Sequence, residues 1–402
     1  MAVTAVRVTP VAFPDPPLLN SAGVHEPWAL RAIVEVRTGD GLLGLGETYG
    51  DTAHLARLDL AAAGIIGLDV FNLAALAQCV ARALGVADAP RVLSPFEVAF
   101  LDLQGQAIER PVHALLGGKV RDRVPLSAYL FYKWAAHPGA AADPWGEALD
   151  PAGIVAQAGA MIERYGFGSI KLKGGVCAPD VEMDAVRALR EAFPGHPLRL
   201  DPNCAWTVDT SIRAAQAMSG VLEYLEDPTP GIAGMARVAA EADMPLATNM
   251  CVVAFADVPP AFDQAAIGVV LADHHFWGGL CASARLAAIC DTWRVGLSMH
   301  SNTHLGISLA AMTHLAAAIP NLTYAVDTHT PWQCGVDVVE APLPITGGSV
   351  TVPDDPGLGV TLDRDALARM HEDYQRCGIR RRDDTAYMQR FQPDYRKLRP
   401  RW

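Results

Sequence analysis

Seven short apolar segments of this chain each end in a polar side chain, and the ends follow one another at intervals of 23 to 29 residues. The residues that close them are, in order, Lys173, Asp201, Glu226, Asn249, Asp273, His300 and His329. A β-strand, an α-helix and two loops use about that much chain, so each interval predicts one βα unit. An eighth strand-like segment, RVPLSAYL, precedes them. Eight parallel strands can close into a barrel whose strand ends meet at one mouth, so the spacing predicts an α/β fold with these side chains together.

The residues before the barrel have a different pattern. Residues 1–50 alternate as strands do, with a Gly-Asp-Gly hairpin signal after Thr38, and residues 53–116 are helical in pattern. Helix breaks are expected near Gly64 and around Pro90 and Pro95. Strands followed by helices indicate a separate α+β domain.

We therefore divide the chain into three parts. Residues 1–122 form the α+β domain, residues 123–335 form the barrel, in either its regular or a modified form, and residues 336–402 return to the first domain and complete it. No low-complexity linker separates them.

The composition is that of a packed, soluble enzyme, with 51% hydrophobic and 19% charged residues. A formal charge of −12 argues against binding to nucleic acid or to an anionic membrane, and it requires a local positive patch for an anionic substrate. No apolar stretch reaches the ~18 residues of a membrane span. Eight cysteines without a CxxC pair predict reduced, mostly buried thiols. The first residues lack signal-peptide features, so we expect a cytoplasmic protein.

Asp201, Glu226 and Asn249 end three consecutive strands. Two carboxylates and a carboxamide oxygen are ligands that suit Mg²⁺. The alternative is that these residues only cap the helices that follow. Three adjacent strands that all present oxygen ligands favour the metal site, and the absence of cysteine or HxxxH partners disfavours zinc.

Lys171 and Lys173 alternate on one strand and therefore point to the same side of it. A neighbouring like charge disfavours protonation, so one of the two could act as a base. A solvated KxK on an exposed strand is the alternative, and a Schiff base is a competing chemistry. A central parallel strand is buried on both faces, which favours a functional pair.

Asp273 and His300 end neighbouring strands, and an aspartate can fix the tautomer of an imidazole and raise its basicity. No GxSxG nucleophile motif is present. His314, on an apolar helix face, is expected to be structural. A lysine on one flank, a cation and an Asp–His pair on the other predict removal of a proton next to a carboxylate. Either epimerisation or β-elimination of water could follow.

Several stretches match a known family in order, among them IKLKGG, LDPNCAW, EYLEDP, PLATNM, ADHHFWGG, MHSNTHLGIS and DTHTPWQ. On these motifs the chain resembles the enolase superfamily, and within it the glucarate dehydratases. The resemblance implies an N-terminal α+β capping domain on a modified TIM-type barrel, with Mg²⁺ as cofactor. It also implies a hydro-lyase that converts D-glucarate to 5-dehydro-4-deoxy-D-glucarate.

The resemblance also assigns residues. It gives Asp201, Glu226 and Asn249 as metal ligands, Lys173 as a base, and His300 paired with Asp273 as the acid/base on the opposite face. Lys171 is assigned to the substrate carboxylate beside Lys173. The other residues expected to contact the substrate are His25, Ser94, Tyr129, Asn203, Asn249, Ser301, Asn302, His329 and Arg382.

Three features depart from the family pattern. Ser94 replaces a threonine, Cys204 replaces a glycine, and the segment of about 55–90 is shorter. A dehydratase or epimerase of another aldarate or aldonate is therefore kept as an alternative, and a non-catalytic scaffold relative as a third. We expect a sugar dicarboxylate as the binding partner and a homo-oligomer as the assembly.

Overall fold

The computed structural model describes all 402 residues. The N-terminal strands are β1 (Val3–Pro14), β2 (Leu19–Asn20), β3 (Gly23–Val24), β4 (Trp28–Thr38) and β5 (Leu43–Tyr49). They are followed by the helices α1 (Thr52–Ile65), α2 (Leu73–Leu84), α3 (Ala89–Ala107) and α4 (Val112–Leu115). Strands β1, β4 and β5 form an antiparallel sheet, and Gly41 turns the predicted β4–β5 hairpin at a φ of 91°. A hydrophobic core separate from that of the barrel lies between this sheet and helices α1 to α3.

Eight strands form the predicted barrel. They are β6 (Arg123–Phe131), β7 (Ile170–Lys173), β8 (Leu198–Asp201), β9 (Leu222–Glu226), β10 (Leu246–Thr248), β11 (Val269–Ala272), β12 (Gly296–Met299) and β13 (Val326–Asp327). The order from β6 to β12 is that of the chain, and β13 closes the ring on β6. Between β12 and β13 there is no ladder, only an isolated bridge from Leu297 to Leu322, so the barrel is of the modified kind.

Helices alternate with the barrel strands. They are α5 (Pro151–Tyr165), α6 (Pro179–Ala192), α7 (Val208–Ala217), α8 (Ile232–Ala239), α9 (Val258–Asp263), α10 (His274–Trp277), α11 (Leu280–Trp293) and α12 (Gly306–Ala318). Two 3₁₀ turns, Phe255–Asp257 and Thr330–Gln333, complete the barrel region. No helix in the structure is both long and apolar enough to cross a bilayer.

The segment after the barrel makes two connections. A hairpin of β14 (Ile345–Thr346) and β15 (Ser349–Thr351) first pairs antiparallel with β6, a barrel contact that the sequence did not predict. Helix α13 (Arg364–Cys377) then packs on β1, where Tyr374 joins a small core with Ala12 and Leu30, and α14 (Asp384–Gln389) follows. The segment after the barrel therefore contacts both the barrel and the N-terminal sheet.

Two expectations from the sequence are wrong. Helix α3 runs through Pro95, where we expected a break, because its buried face packs closely on the glycines of β5. All eight cysteines are free thiols, but only Cys204 and Cys290 are buried, and Cys334 is exposed.

Candidate functional site

A polar cavity of about 250 Å³ lies at the carboxyl ends of the barrel strands. Fourteen residues line it, namely Asn20, Ala22, His25, Tyr129, Phe131, Lys173, Asn203, His300, Ser301, Asn302, His329, Arg382, Asp384 and Arg399. They come from the barrel, from the N-terminal β2–β3 region and from the segment after α13. The convergence that the spacing predicted is therefore present, with the two other chain segments covering it.

The two lysines of β7 are held differently. Lys173 lines the cavity, and its Nζ lies 2.6 Å from Asp201 Oδ2. Lys171 is fully buried below it, with Nζ 2.6 Å from both Glu226 Oε2 and Asp327 Oδ2. Burial alone would lower the pKa of Lys171, but the two carboxylates outweigh it and hold that pKa well above the ordinary value.

This geometry corrects the expectation that Lys171 is a substrate contact. Its ammonium lies between the carboxylates of Glu226 and Asp327, and it does not line the cavity. Lys173 is the lysine of this strand that can reach a bound molecule.

The predicted metal ligands stand side by side at the ends of β8, β9 and β10. Asp201, Glu226 and Asn249 are buried, and Glu226 Oε1 accepts no hydrogen bond. Burial raises the pKa of Glu226 well above its ordinary value, and the nearby carboxylate of Asp201 adds to the rise despite Lys171. A hard divalent cation would supply the missing partner and the missing positive charge. The donor set of two carboxylates and one carboxamide fits Mg²⁺.

Asp227 holds the third of the predicted ligands in place, a role for which no pattern in the sequence singled it out. Its Oδ2 accepts the backbone N–H of Asn249 at 2.8 Å, and its Oδ1 accepts the hydroxyl of Thr248 at 2.5 Å. Asp227 adopts a φ of 36°, which turns its side chain from its own strand toward the next one. It is fully buried. The position of Asn249 therefore depends on Asp227, a residue that need not touch the metal.

On the opposite side of the cavity, Asp273 and His300 form the predicted pair. His300 Nδ1 lies 3.0 Å from Asp273 Oδ2, which leaves Nε2 as the ring nitrogen available to the cavity. Asp273 also accepts from His275, whose Nδ1 lies 2.7 Å from Oδ1. Burial would raise the pKa of Asp273, but His275 and His300 together hold it well below the ordinary value.

The role of His275 was missed in the sequence. Arg31 Nη2 lies 3.1 Å from His275 Nε2, and because arginine can only donate, the His275 proton must be on Nδ1, facing Asp273. Arg31 is itself paired with Glu47 at 2.8 Å. The N-terminal sheet of β1, β4 and β5, here called the capping sheet, thus orients Asp273, which in turn orients His300. In the sequence, the signal for this role of His275 was the ADHH run to which it belongs.

The predicted substrate contacts fall into two groups. Those that line the cavity are His25, Tyr129, Asn203, Ser301, Asn302, His329 and Arg382. Asn249 lies with the metal ligands and outside the lining. Ser94 is a correction: it is fully buried within α3, its hydroxyl has no partner, and it does not line the cavity. The first turns of α3 pack on α10 and β5, and this turns Ser94 into the core.

Five lining residues were not predicted: Asn20, Ala22, Phe131, Asp384 and Arg399. Phe131 carried a signal, since it follows Tyr129 on the inward face of β6. The others lie on a two-residue strand, on the turn after it, at the start of the short helix α14 and on the irregular segment that follows α14, and none of these has a periodicity that predicts its path. The Cys204 substitution also has a local consequence, because Asn203 and Cys204 adopt positive φ angles of 57° and 61°, where glycine is unstrained.

Comparisons with known proteins identify relatives of both the N-terminal region and the barrel. The model of the mandelate racemase / muconate lactonizing enzyme N-terminal domain matches residues 3–117, and the enolase C-terminal domain-like model matches residues 153–366. A probable glucarate dehydratase from Streptomyces coelicolor is 54% identical, over all of this chain and 99% of that protein.

Two solved structures are also very similar to the chain. An enolase from Thermobispora bispora, complexed with magnesium and formate, is 62% identical over the whole of both chains, with a TM-score of 0.98. An enolase from Mycobacterium smegmatis, complexed with tartrate, is 62% identical over 100% of this chain and 98% of that one, also with a TM-score of 0.98. From the two family models and the full-length similarity, we conclude that the chain belongs to the enolase superfamily.

Proposed function

We propose that the protein is a Mg²⁺-dependent dehydratase of sugar diacids that converts D-glucarate to 5-dehydro-4-deoxy-D-glucarate. The observation that carries the proposal is the placement of Lys173 and His300 in one cavity, beside the seat formed by Asp201, Glu226 and Asn249. The name of the Streptomyces relative, the magnesium of one solved relative and the tartrate of another support the same substrate class.

The residues divide the reaction between them. Magnesium held by Asp201, Glu226 and Asn249 would stabilise negative charge on the substrate carboxylate as the α-proton leaves. Lys173 and His300 flank the α-carbon, and its configuration decides which of the two takes the proton. A proton on Nε2 of His300, stabilised by Asp273, passes to the β-hydroxyl, which departs as water. The resulting enol becomes the keto acid.

The remaining lining residues hold the substrate chain. His25, Asn203, Asn302 and Arg382 offer hydrogen-bond donors to hydroxyl and carboxylate oxygens. Ser301 Oγ lies 3.3 Å from His329 Nδ1, so these two side chains act as a pair. Burial holds the pKa of His329 well below its ordinary value, which suits a neutral hydrogen-bonding group rather than a cation.

An epimerase is the second candidate, and the same two groups favour it. If the group opposite the first base returned a proton to the α-carbon, the substrate would change configuration without losing water. The proposal that the protein is catalytic rests on the complete set Lys173, Asp201, Glu226, Asn249, Asp273 and His300. A scaffold subunit would have no need of all six.

The test is a panel of aldarates and aldonates incubated with the protein and Mg²⁺ in D₂O and followed by proton NMR. Conversion of D-glucarate to a keto acid would support the proposal. Exchange of the α-proton without loss of water would replace it with the epimerase. If the protein neither bound Mg²⁺ nor exchanged any α-proton, the scaffold alternative would prevail.

A further inference from the structure

Two guanidinium groups line the cavity, and their electrostatic surroundings differ. The charge of Arg382 is balanced by the protein, because its Nε lies 2.8 Å from Asp384 Oδ1 and its Nη1 lies 2.9 Å from Asp15 Oδ2. Two carboxylates around one guanidinium leave no net positive charge at that point. Arg382, the cavity arginine that the resemblance assigned to the substrate, can therefore offer hydrogen-bond donors but no uncompensated charge.

Arg399 has no such partner. It donates from Nη2 to Asn203 Oδ1 at 2.5 Å and to Ser21 Oγ at 2.9 Å, and both acceptors are uncharged. No carboxylate of the structure lies within ion-pair distance of it, and its Nη1 makes no hydrogen bond. Since Lys173 is paired with Asp201, Arg399 is the one lysine or arginine of the cavity wall whose charge the protein leaves uncompensated.

The chain around Arg399 is fixed in place. The backbone N–H groups of Arg401 and Trp402 donate to Ala205 O at 2.6 and 3.0 Å, and Thr207 N–H donates to Trp402 O at 2.5 Å. Residues 399–402 are therefore packed against the loop that follows β8, and that loop also carries Asn203. A guanidinium held by a fixed backbone and by neutral acceptors is prepared to receive an anion, because little ordering is lost on binding.

We propose that Arg399 binds the second carboxylate of the substrate and thereby selects sugar dicarboxylates over monocarboxylates. The inference rests on the proposed function in that it takes a sugar acid as the ligand. An arginine–carboxylate pair is among the strongest hydrogen-bonded contacts that a protein makes, and a monocarboxylate cannot form it at this end. The protein then selects diacids, because only a diacid has a second carboxylate that can pair with Arg399.

The test compares binding of two small hydroxy acids to the Mg²⁺-loaded protein by isothermal titration calorimetry, and proton NMR of each sample checks that neither acid is consumed. Tartrate carries two carboxylates, and D-glycerate carries one. Arg399→Met is expected to weaken tartrate binding by about 10- to 100-fold and glycerate binding by less than about twofold. Arg399→Lys, which keeps the charge, should retain most of the preference for tartrate.

Arg401→Met is the matched control. Arg401 belongs to the same segment but packs over Tyr395 and Trp402 and does not line the cavity, so both affinities should be unchanged. Equal loss of both ligands in Arg399→Met, no loss of either, or Arg399→Lys as impaired as Arg399→Met would overturn the inference. So would a wild type that binds tartrate no more tightly than glycerate.

These outcomes are separate from those of the dehydration assay, because probe binding requires no turnover. A protein that binds tartrate through Arg399 but dehydrates no aldarate would refute the proposed reaction and leave the assignment of Arg399 standing. A thermal melt of each variant checks that it is folded. If Arg399→Met is not folded, the comparison of Arg399→Lys with the wild type still tests the inference.

Discussion

Asp227 follows a proposed metal ligand along the chain but acts on the next strand. Because its carboxylate accepts from Asn249 N–H and from the Thr248 hydroxyl, it fixes where the Asn249 side chain begins. Loss of a group that orients a metal ligand typically weakens metal affinity by about 10- to 100-fold. The site is thus set by residues around the ligand trio as well as by the trio.

Asp227→Asn is expected to weaken Mg²⁺ binding by about 10- to 100-fold, because an amide cannot accept from both donors at once. Titration calorimetry with Mg²⁺ measures the change. Asp263→Asn, a change of the same chemistry at an exposed position, serves as the control and should bind as the wild type does. Unaltered affinity in Asp227→Asn would mean that Asn249 is not a ligand or does not need this support.

Residues at the strand ends could be predicted, and residues on irregular segments could not. The regular interval brings Asp201, Glu226 and His300 together because each follows a strand of the same barrel. Arg399 lies in a stretch with several arginines and no periodicity, and its place depends on a chain path fixed by distant backbone contacts. The prediction for Ser94 was wrong for a similar reason. The family resemblance aligns this residue in the sequence, but it does not determine whether its side chain points into the cavity or into the core.

Helix α3 is held to the capping sheet by close backbone contact. A Cβ on Gly46 would meet the carbonyl of Pro95, and one on Gly44 would meet the carbonyl of Ala99. The helix can lie this close only because β5 carries glycine at both positions, which face the same side of the strand. The same packing explains why the helix continues through Pro95.

Gly46→Ala should lower the free energy of unfolding by about 1 to 3 kcal/mol, because the helix backbone must move away from the sheet. Urea unfolding followed by circular dichroism measures it. At Gly39 an added Cβ would meet only ordinary contact at 3.5 Å, so Gly39→Ala should change stability by less than about 0.5 kcal/mol. Equal effects of the two substitutions would show that the close approach is not limiting.

His314 joins helix α12 to two other segments. Its Nδ1 accepts the backbone N–H of His113 at 3.3 Å, and its Nε2 donates to Leu358 O at 3.1 Å. The bond to Nδ1 requires the neutral ring, because a protonated Nδ1 cannot accept, and burial lowers the pKa of His314 to about 4. The expectation that this histidine is structural agrees with its position away from the cavity.

A pH prediction follows from this pKa. As the pH falls below about 6.5, the unfolded chain takes up a proton at His314 and the folded protein does not, so acidification favours unfolding. The wild type therefore loses stability between about pH 7 and about pH 5. In His314→Gln this loss of unfolding free energy should be smaller by about 2 kcal/mol. Urea unfolding at both pH values tests it, and an unchanged loss in the variant would contradict the assignment.

Positive charge is concentrated in one region next to the cavity, although the chain as a whole carries a formal charge of −12. A vestibule of about 1020 Å³ shares Ala22, Arg382 and Asp384 with the cavity. Its cations are Arg57, Arg91, Arg380, Arg381, Arg382 and Lys397, against the carboxylates of Asp51, Asp383 and Asp384. The local positive patch that an anionic substrate requires is therefore present.

The value of kcat/KM for a dianionic substrate should fall several-fold as the ionic strength rises from about 0.01 M to about 0.1 M, because the screening length shrinks from about 30 Å to about 10 Å. The kcat value should hardly change, since steering affects only capture. Arg381→Glu should reduce both kcat/KM and its salt dependence, whereas Arg369→Glu, exposed on α13 and outside the vestibule, should not. Steady-state kinetics at several salt concentrations decides this, and a flat salt profile for the wild type would exclude steering.

The overall architecture could be predicted because the barrel repeats one unit, and repetition is visible in a sequence. The modified closure at β13 and the β14–β15 hairpin on β6 could not, since each depends on a pairing of distant residues with no periodic signal. The cover of the cavity by β2–β3 and by residues 382–399 has the same character. These covering segments also carry Arg399, on which the proposed selection of dicarboxylates depends.

The proposed reaction depends most on Lys173 and His300 acting on one bound substrate. The direct measurement is the rate of water loss from D-glucarate in D₂O with Mg²⁺, followed by proton NMR for wild type, Lys173→Ala, His300→Ala and the control His371→Ala on α13. Each of the first two variants should dehydrate more slowly by about 1000-fold or more, and the control should match the wild type. A His300→Ala protein that retains the full rate would contradict the assignment of the Asp273–His300 pair and, with it, the proposed reaction.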